Sequence, residues 1–328
     1  MLCPAVRTGD GLDWRIVPTP QVGQVDFLYG VSAFTNGEAW AVGSTEATVN
    51  GVGQAFVLHW DGAAWKVVPA PSHPGAAYTL LQGVAAVGPQ DVWAVGGWQV
   101  RSGGKYRTLI EHWDGLRWAE VPSPDRTGTL ASVSAVSAED VWAVGAAKRK
   151  GLPEGALVEH WDGRRWSVVP SPNRGTGFNE LAAVSALSND DVWAVGTSDK
   201  PVPDLHTLVL HWDGRAWSIV RSPDRGGAPS QLNGVAALAP DRVWAVGTRL
   251  LGQRGQRHRT LVEYWDGKRW TAIGSPSAAS PMTELAAVAG LPGGAVWVAG
   301  YHFDGQSTTG GKTFVLHGCP APPPRAPA

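Results

Sequence analysis

Five side chains in this sequence carry oxygen in a pattern that a hard cation or an acid–base pair can use: Asp26, Asn179, Glu180, Gln231 and Glu284. Each stands just before a short run of small apolar residues. Calcium takes roughly six to eight oxygen ligands, and three carboxylates, two amides and water approach that number. The same carboxylates can act as general acid and base in a hydrolase or lyase. Four histidines, His59, His112, His160 and His211, recur in one slot before "WDG", with Tyr264 as the variant. One per repeated phrase is too dispersed for a single centre, so they read as packing residues. Two cysteines cannot make a zinc cluster. No GxSxG, HExxH or GxxxxGK[ST] motif occurs, and no resident cofactor is expected, with calcium as the alternative.

A second set is cationic and aromatic. It comprises Trp98, Arg101, Lys105, Tyr106 and Arg107, then Lys148, Arg149 and Lys150, then Arg254, Arg257, His258 and Arg259. The six stretches that hold these residues and their counterparts carry twelve cations against five anions, while the whole chain is net −1. Positive charge is therefore gathered locally, which suits an anionic glycan or an acidic protein patch. Trp98 and Tyr106 offer flat faces for a sugar ring or a peptide. The balanced global charge gives no field for nucleic acid, and no apolar run approaches the ~20 residues of a membrane span.

The elements that position these residues repeat. "VWAVG" or a variant places tryptophans at 40, 93, 142, 193, 244 and 297, successive members lying 49 to 53 residues apart. "WDG" follows with Trp60, Trp113, Trp161, Trp212 and Trp265, and "WxxV" with Trp14, Trp65, Trp118, Trp166, Trp217 and Trp270. Each period reads as four short strands, rich in valine and tryptophan and bounded by glycine. The Asp-Gly of "WDG" suits the hairpin between strands three and four. Four-stranded units of about fifty residues in series signal a β-propeller.

The sixth period stops at "HGCP" without its fourth strand, and "DWRIVPTP" (residues 13–20) is a fourth strand with no predecessors. The fold expected is an all-β, six-bladed propeller with four antiparallel strands per blade. The N-terminal strand completes the last blade and closes the ring. Residues 1–319 form one domain, and 320–328 a proline-rich tail or linker. This topology brings Cys3 and Cys319 together as a disulfide across the seam, which implies an oxidising compartment. The start of the chain has no apolar h-region. An extracellular or surface location with the leader missing is expected, and a cytoplasmic one stays open.

"VWAVGGWQVRSGGKYRTLIEHWDGLRWAEVPSP" resembles a kelch motif, and the chain is similar along most of its length to bacterial "VWAVG…HWDG…VPSP" repeat proteins. The resemblance implies a propeller and passes on no activity.

A residue repeated in every blade builds the frame, so function is expected where blades differ. The short strand-one–two links and "WDG" turns are uniform; the strand-two–three loops and interblade links are not. The reading is a monomeric, non-enzymatic binding propeller that takes a glycan or protein on this loop face. The alternatives are a hydrolase or lyase at the channel mouth and a structural module of a longer protein.

Overall fold

The computed structural model describes residues 17–34, 37–45, 53–71, 73, 75–101, 103–124, 127–200, 204–223, 228–251, 257–278, 280–290, 295–303 and 312–318. These residues form 23 β-strands and no helix. Five units of four strands follow one another, each an antiparallel meander in chain order. Their first strands are Asp26–Ala33, Tyr78–Gly88, Gly128–Ser137, Asn179–Ser188 and Ser230–Ala239. A last unit of three strands, Met282–Gly290, Val296–Phe303 and Lys312–Gly318, is tied to the fifth by one parallel pairing, His258 with Met282. Asp13–Ile16, Cys3 and Cys319 lie outside the described residues. Val17–Pro20, expected as part of a strand, carry none, and Thr19 and Pro20 instead lie beside Leu28, Phe56 and Leu58 of unit one.

The strand "DVWAVG" runs through the interior of each sheet, and its alternate residues face opposite neighbours. In unit three, Val141 and Ala143 pack with Trp93 and Val95 of unit two, whereas Trp142 and Val144 pack with Leu181, Val192 and Ala194 of unit four. The core is thus a series of layers between sheets. Trp142 lies 5.1 Å from Trp212 and 5.5 Å, edge-on, from Trp217 of unit four. Trp40, Trp93 and Trp193 each meet the corresponding tryptophan pair of the next unit in the same way. Burying one such indole contributes at most about 4–6 kcal/mol.

The invariant glycine of "VWAVG" answers to a bulge in the facing strand. The register slips between Leu181 and Ala183 opposite Gly196, and in the other units after the equivalent leucine. A Cβ on Gly43, Gly96, Gly145, Gly196 or Gly247 would collide with a carbonyl oxygen of that strand. First strands of successive units are also joined directly. Ser32, Ser134 and Ser185 hydroxyls accept from the backbone N–H of Ala86, Ala186 and Ala237 across 3.0–3.1 Å.

The "WDG" turn forms as its residues dictate. Trp161 pairs with Trp166, Gly163 holds φ +83°, and Asp162 Oδ1 accepts from the N–H groups of Arg164 and Arg165 at 2.9 Å. These backbone bonds hold Asp114, Asp162, Asp213 and Asp266 below the usual carboxylate range. The recurrent histidines are frame residues here. His160 lies 4.1 Å from Trp142, and its Nε2 is 2.8 Å from Asp140 Oδ1; His112–Asp91 and His211–Asp191 repeat the arrangement.

One flank differs. The leucine before the bulge is fully buried at positions 81, 130, 181, 232 and 285, but Leu28 of unit one is 48% exposed. Val31 is 68% exposed, against 7–8% for Val84, Val133, Val184 and Val235. On the last unit, Val315 is also bare, though its counterpart Val209 is buried.

Candidate functional site: a cationic cleft between units two and three

The second and third strands run on past the sheet as long hairpin arms. Expected as loops, these segments are largely paired β-structure that continues the ladder between the second and third strands. In unit three the arms reach Arg149 and Leu152, and in unit four Lys200 and Asp204. Lys148, Arg149, Arg107, Arg257, His258 and Arg259 therefore sit on strands, while Arg101, Lys105, Tyr106 and Lys150 sit at hairpin ends. Arg254 lies outside the described residues.

Where the arms of units two and three diverge they leave a cleft of about 450 Å³. Its lining includes Lys105, Tyr106, Thr127, Thr129, Lys148 and Glu154. Lys148 presses on Lys105 and holds its ammonium below the ordinary lysine range, hydrogen bonding first and charge repulsion second. Neither lysine has an ion-pair partner among the described residues. Burial, then the neighbouring Tyr78 and Tyr29, pushes the Tyr106 hydroxyl up.

Arg149 and Arg259 serve the frame. Arg149 donates from Nε to Pro153 O at 2.9 Å and from Nη2 to Gly177 O at 2.6 Å, which pins its own arm to the next interblade link. Arg259 Nη1 donates to Ser280 O at 2.9 Å. Trp98, expected to open a loop, lies within strand Asp91–Gln99 and pairs with Thr79 and Arg107. Its ring lies edge-on to His73 at 3.8 Å, under the Arg107 guanidinium at 5.9 Å, and against the core between units one and two.

The five oxygen-bearing residues do not converge. Register places Asp26 and Asn179 two before the leucine at the bulge, and Glu180, Gln231 and Glu284 one before it. Adjacent residues of a strand point to opposite faces, so the expected ring is split. Asp26 accepts from Val22 and Gly23 N–H groups, and Asn179 holds the turn at Arg174 and Gly177. Glu284 accepts from Tyr301 Oη at 2.7 Å and lies 2.6 Å from His258 Nδ1; burial, then the bond to Glu284, pushes the Tyr301 hydroxyl up to about 12. Glu180 is held above the usual range by burial and by Glu154. Among the described residues no group of three or more His, Cys, Asp or Glu is placed to hold a metal ion.

One further set carries no functional mark in the sequence: Glu111, Glu159 and Glu263, all buried on third strands. Glu111 has no partner for either oxygen, and burial raises it to about 8, with Glu120 adding to the shift.

This arrangement of meander sheets is that of a β-propeller, and solved structures share it. A YCF48 structure bound to D1 peptide aligns over 86% of this chain and 79% of its own, with 15% identity and a TM-score of 0.52. The α-L-arabinofuranosidase Arb93A from Fusarium graminearum, in complex with an iminosugar inhibitor, aligns over 90% and 93%, with 12% identity and a TM-score of 0.55. An ulvan lyase of family PL25, bound to -[GlcA(1-4)Rha3S]-, aligns over 83% and 79%, with 9% identity and a TM-score of 0.54. At these identities the likeness is one of fold. No family model, kelch included, and no curated protein matches the sequence.

Proposed function

We propose that the chain closes into a six-bladed ring and acts as a non-enzymatic binding scaffold whose loop face takes an anionic partner. The carrying observation is that Lys105 and Lys148 line one open cleft, where neither has an ion-pair partner among the described residues. Two like charges held together gain most from an anion placed beside both. Propellers of similar shape bear a peptide or a glycan, which makes both partner classes reasonable. In the same reading residues 1–319 are one domain, the segment around Trp14 supplies the missing fourth strand, and Cys3 pairs with Cys319 outside the cytosol. Alkylation of both thiols without reduction would remove that last part.

The test is retention on polyuronate and on polyglutamate matrices as a function of salt. Wild type should be held by at least one and released as ionic strength rises. Lys105→Ala/Lys148→Ala should pass through both. Wild type that fails to bind either matrix would overturn the reading.

A second reading, a hydrolase or lyase, rests on Glu180, whose carboxyl is shifted upward by burial and by Glu154, the direction that suits a general acid. Turnover of a polysaccharide that is abolished in Glu180→Gln, and untouched in the lysine variant, would favour it.

A further inference from the structure

We infer that the cleft between units two and three is a site for an acidic sugar, whose carboxylate or sulfate sits between Lys105 and Lys148 while its ring and hydroxyls meet Tyr106, Thr127, Thr129 and Glu154. The inference rests on the binding reading above and names the ligand.

Charge alone would admit an acidic peptide as readily. The rest of the lining argues against one. Peptides dock by adding a strand to a free edge or by seating apolar anchors. Backbone groups at the cleft are already paired, with Gly128 N–H donating to Tyr106 O at 2.9 Å and Lys148 N–H to Thr127 O at 2.7 Å. Beside the Tyr106 ring, the apolar side chains of the lining are Leu152 and Pro153. Glu154 opposes any anion, but its carboxylate is a strong acceptor for the hydroxyls that a sugar carries and an oligoglutamate lacks. Two threonine hydroxyls both donate and accept, which matches the mixed polarity of a pyranose. The volume of about 450 Å³ falls within the range of small-ligand sites.

The walls are held in place before any ligand arrives. The Tyr106 ring stands edge-on to Tyr78 at 6.2 Å, and its hydroxyl receives Gln99 Nε2 at 3.4 Å. Arg149 grips Pro153 O and reaches Glu154 O at 3.4 Å, so the opposite rim is fixed by a residue that leaves the anion itself to the lysines. Ordering costs on binding are correspondingly small. Arg149 is a positioning residue of the site.

Calorimetric titration of the full chain tests this with four probes: a hexauronate oligosaccharide, its methyl ester, a sulfated neutral oligosaccharide and an oligoglutamate. Binding of the uronate or the sulfated sugar is expected, with the ester at least tenfold weaker than the free acid. Lys105→Met/Lys148→Met should lose at least tenfold while its thermal midpoint stays level, since the change removes only a repulsion. Arg149→Met should weaken sugar binding severalfold and leave the salt dependence of binding unchanged. If oligoglutamate binds through the lysines and both sugars are silent, the sugar assignment falls and the anion-binding face stands. Sugar binding that ignores the lysine variant overturns the cleft as the site. If no probe binds, both readings fall.

Discussion

Ser222 Oγ of unit four donates to Glu263 Oε2 of unit five across 2.9 Å, joining an interblade link to a carboxylate buried in the next sheet. Serine and carboxylate do not coincide at every seam. Ser123 precedes Glu159, whereas Ser171, whose successor slot holds Leu210, turns back to Ala156 O. Unit one has Ala70 in the serine slot, and Glu111 in unit two is the carboxylate left without a donor. Hydrogen bonds to a charged group are worth about 1.5–3 kcal/mol. Ser222→Ala should therefore cost about 1–3 kcal/mol in urea unfolding, and Ala70→Ser should stabilise by about 1 kcal/mol. A destabilised Ala70→Ser would show that the slots do not meet.

Glu111 makes stability depend on pH. Its folded value of about 8 lies above the unfolded carboxylate value, so between these limits the native state binds more protons than the unfolded state. Stability should fall as pH rises from about 4.5 to 8 and level off above that. Units one and four hold leucine in this slot, Leu58 and Leu210, both buried. Glu111→Leu should flatten the decline and stabilise by roughly 2–4 kcal/mol at pH 8. Denaturation midpoints over that range decide it.

Gly196→Ala should be among the most harmful small substitutions in the protein. The added methyl meets the Glu180 carbonyl oxygen, and backbone on both sides fixes that approach. A loss of more than about 3 kcal/mol is expected, against a change within about 0.5 kcal/mol for Gly274→Ala, where nothing lies near. Equal losses would remove the steric account.

What the sequence shows and hides follows from distance along the chain. The tryptophan repeat and the Asp-Gly turns are local, and Trp161–Trp166 forms as the spacing dictates. The Ser222–Glu263 bond spans 41 residues and needs the sheets stacked before it can be seen. Asp26 was grouped with Glu180 because both precede small apolar runs, but a one-residue offset in register reverses the face. Arg149 and Arg259 looked like free cations, because sequence carries no mark of the carbonyls that await them. Lys105 and Lys148 stand in sequence like the other cations of these stretches, and only the folded arms bring them to one cleft.

Ring closure has its own test. If the last unit covers unit one, Leu28→Ala should cost about 2–5 kcal/mol, as Leu181→Ala should. An uncovered flank would leave Leu28→Ala within about 0.5 kcal/mol of wild type. Thermal unfolding of the two variants side by side separates these outcomes.

The layered core has a consequence for how such a chain changes over generations. Each seam between sheets is assembled from interchangeable parts: one indole from the unit before, two indoles and a leucine from the unit after. Copying or deleting a whole period in the gene leaves every surviving seam with matching halves. Chains of this kind can lengthen or shorten in whole steps, and the mutations they tolerate collect on the protruding arms, where a new ligand can be tried without rebuilding the body.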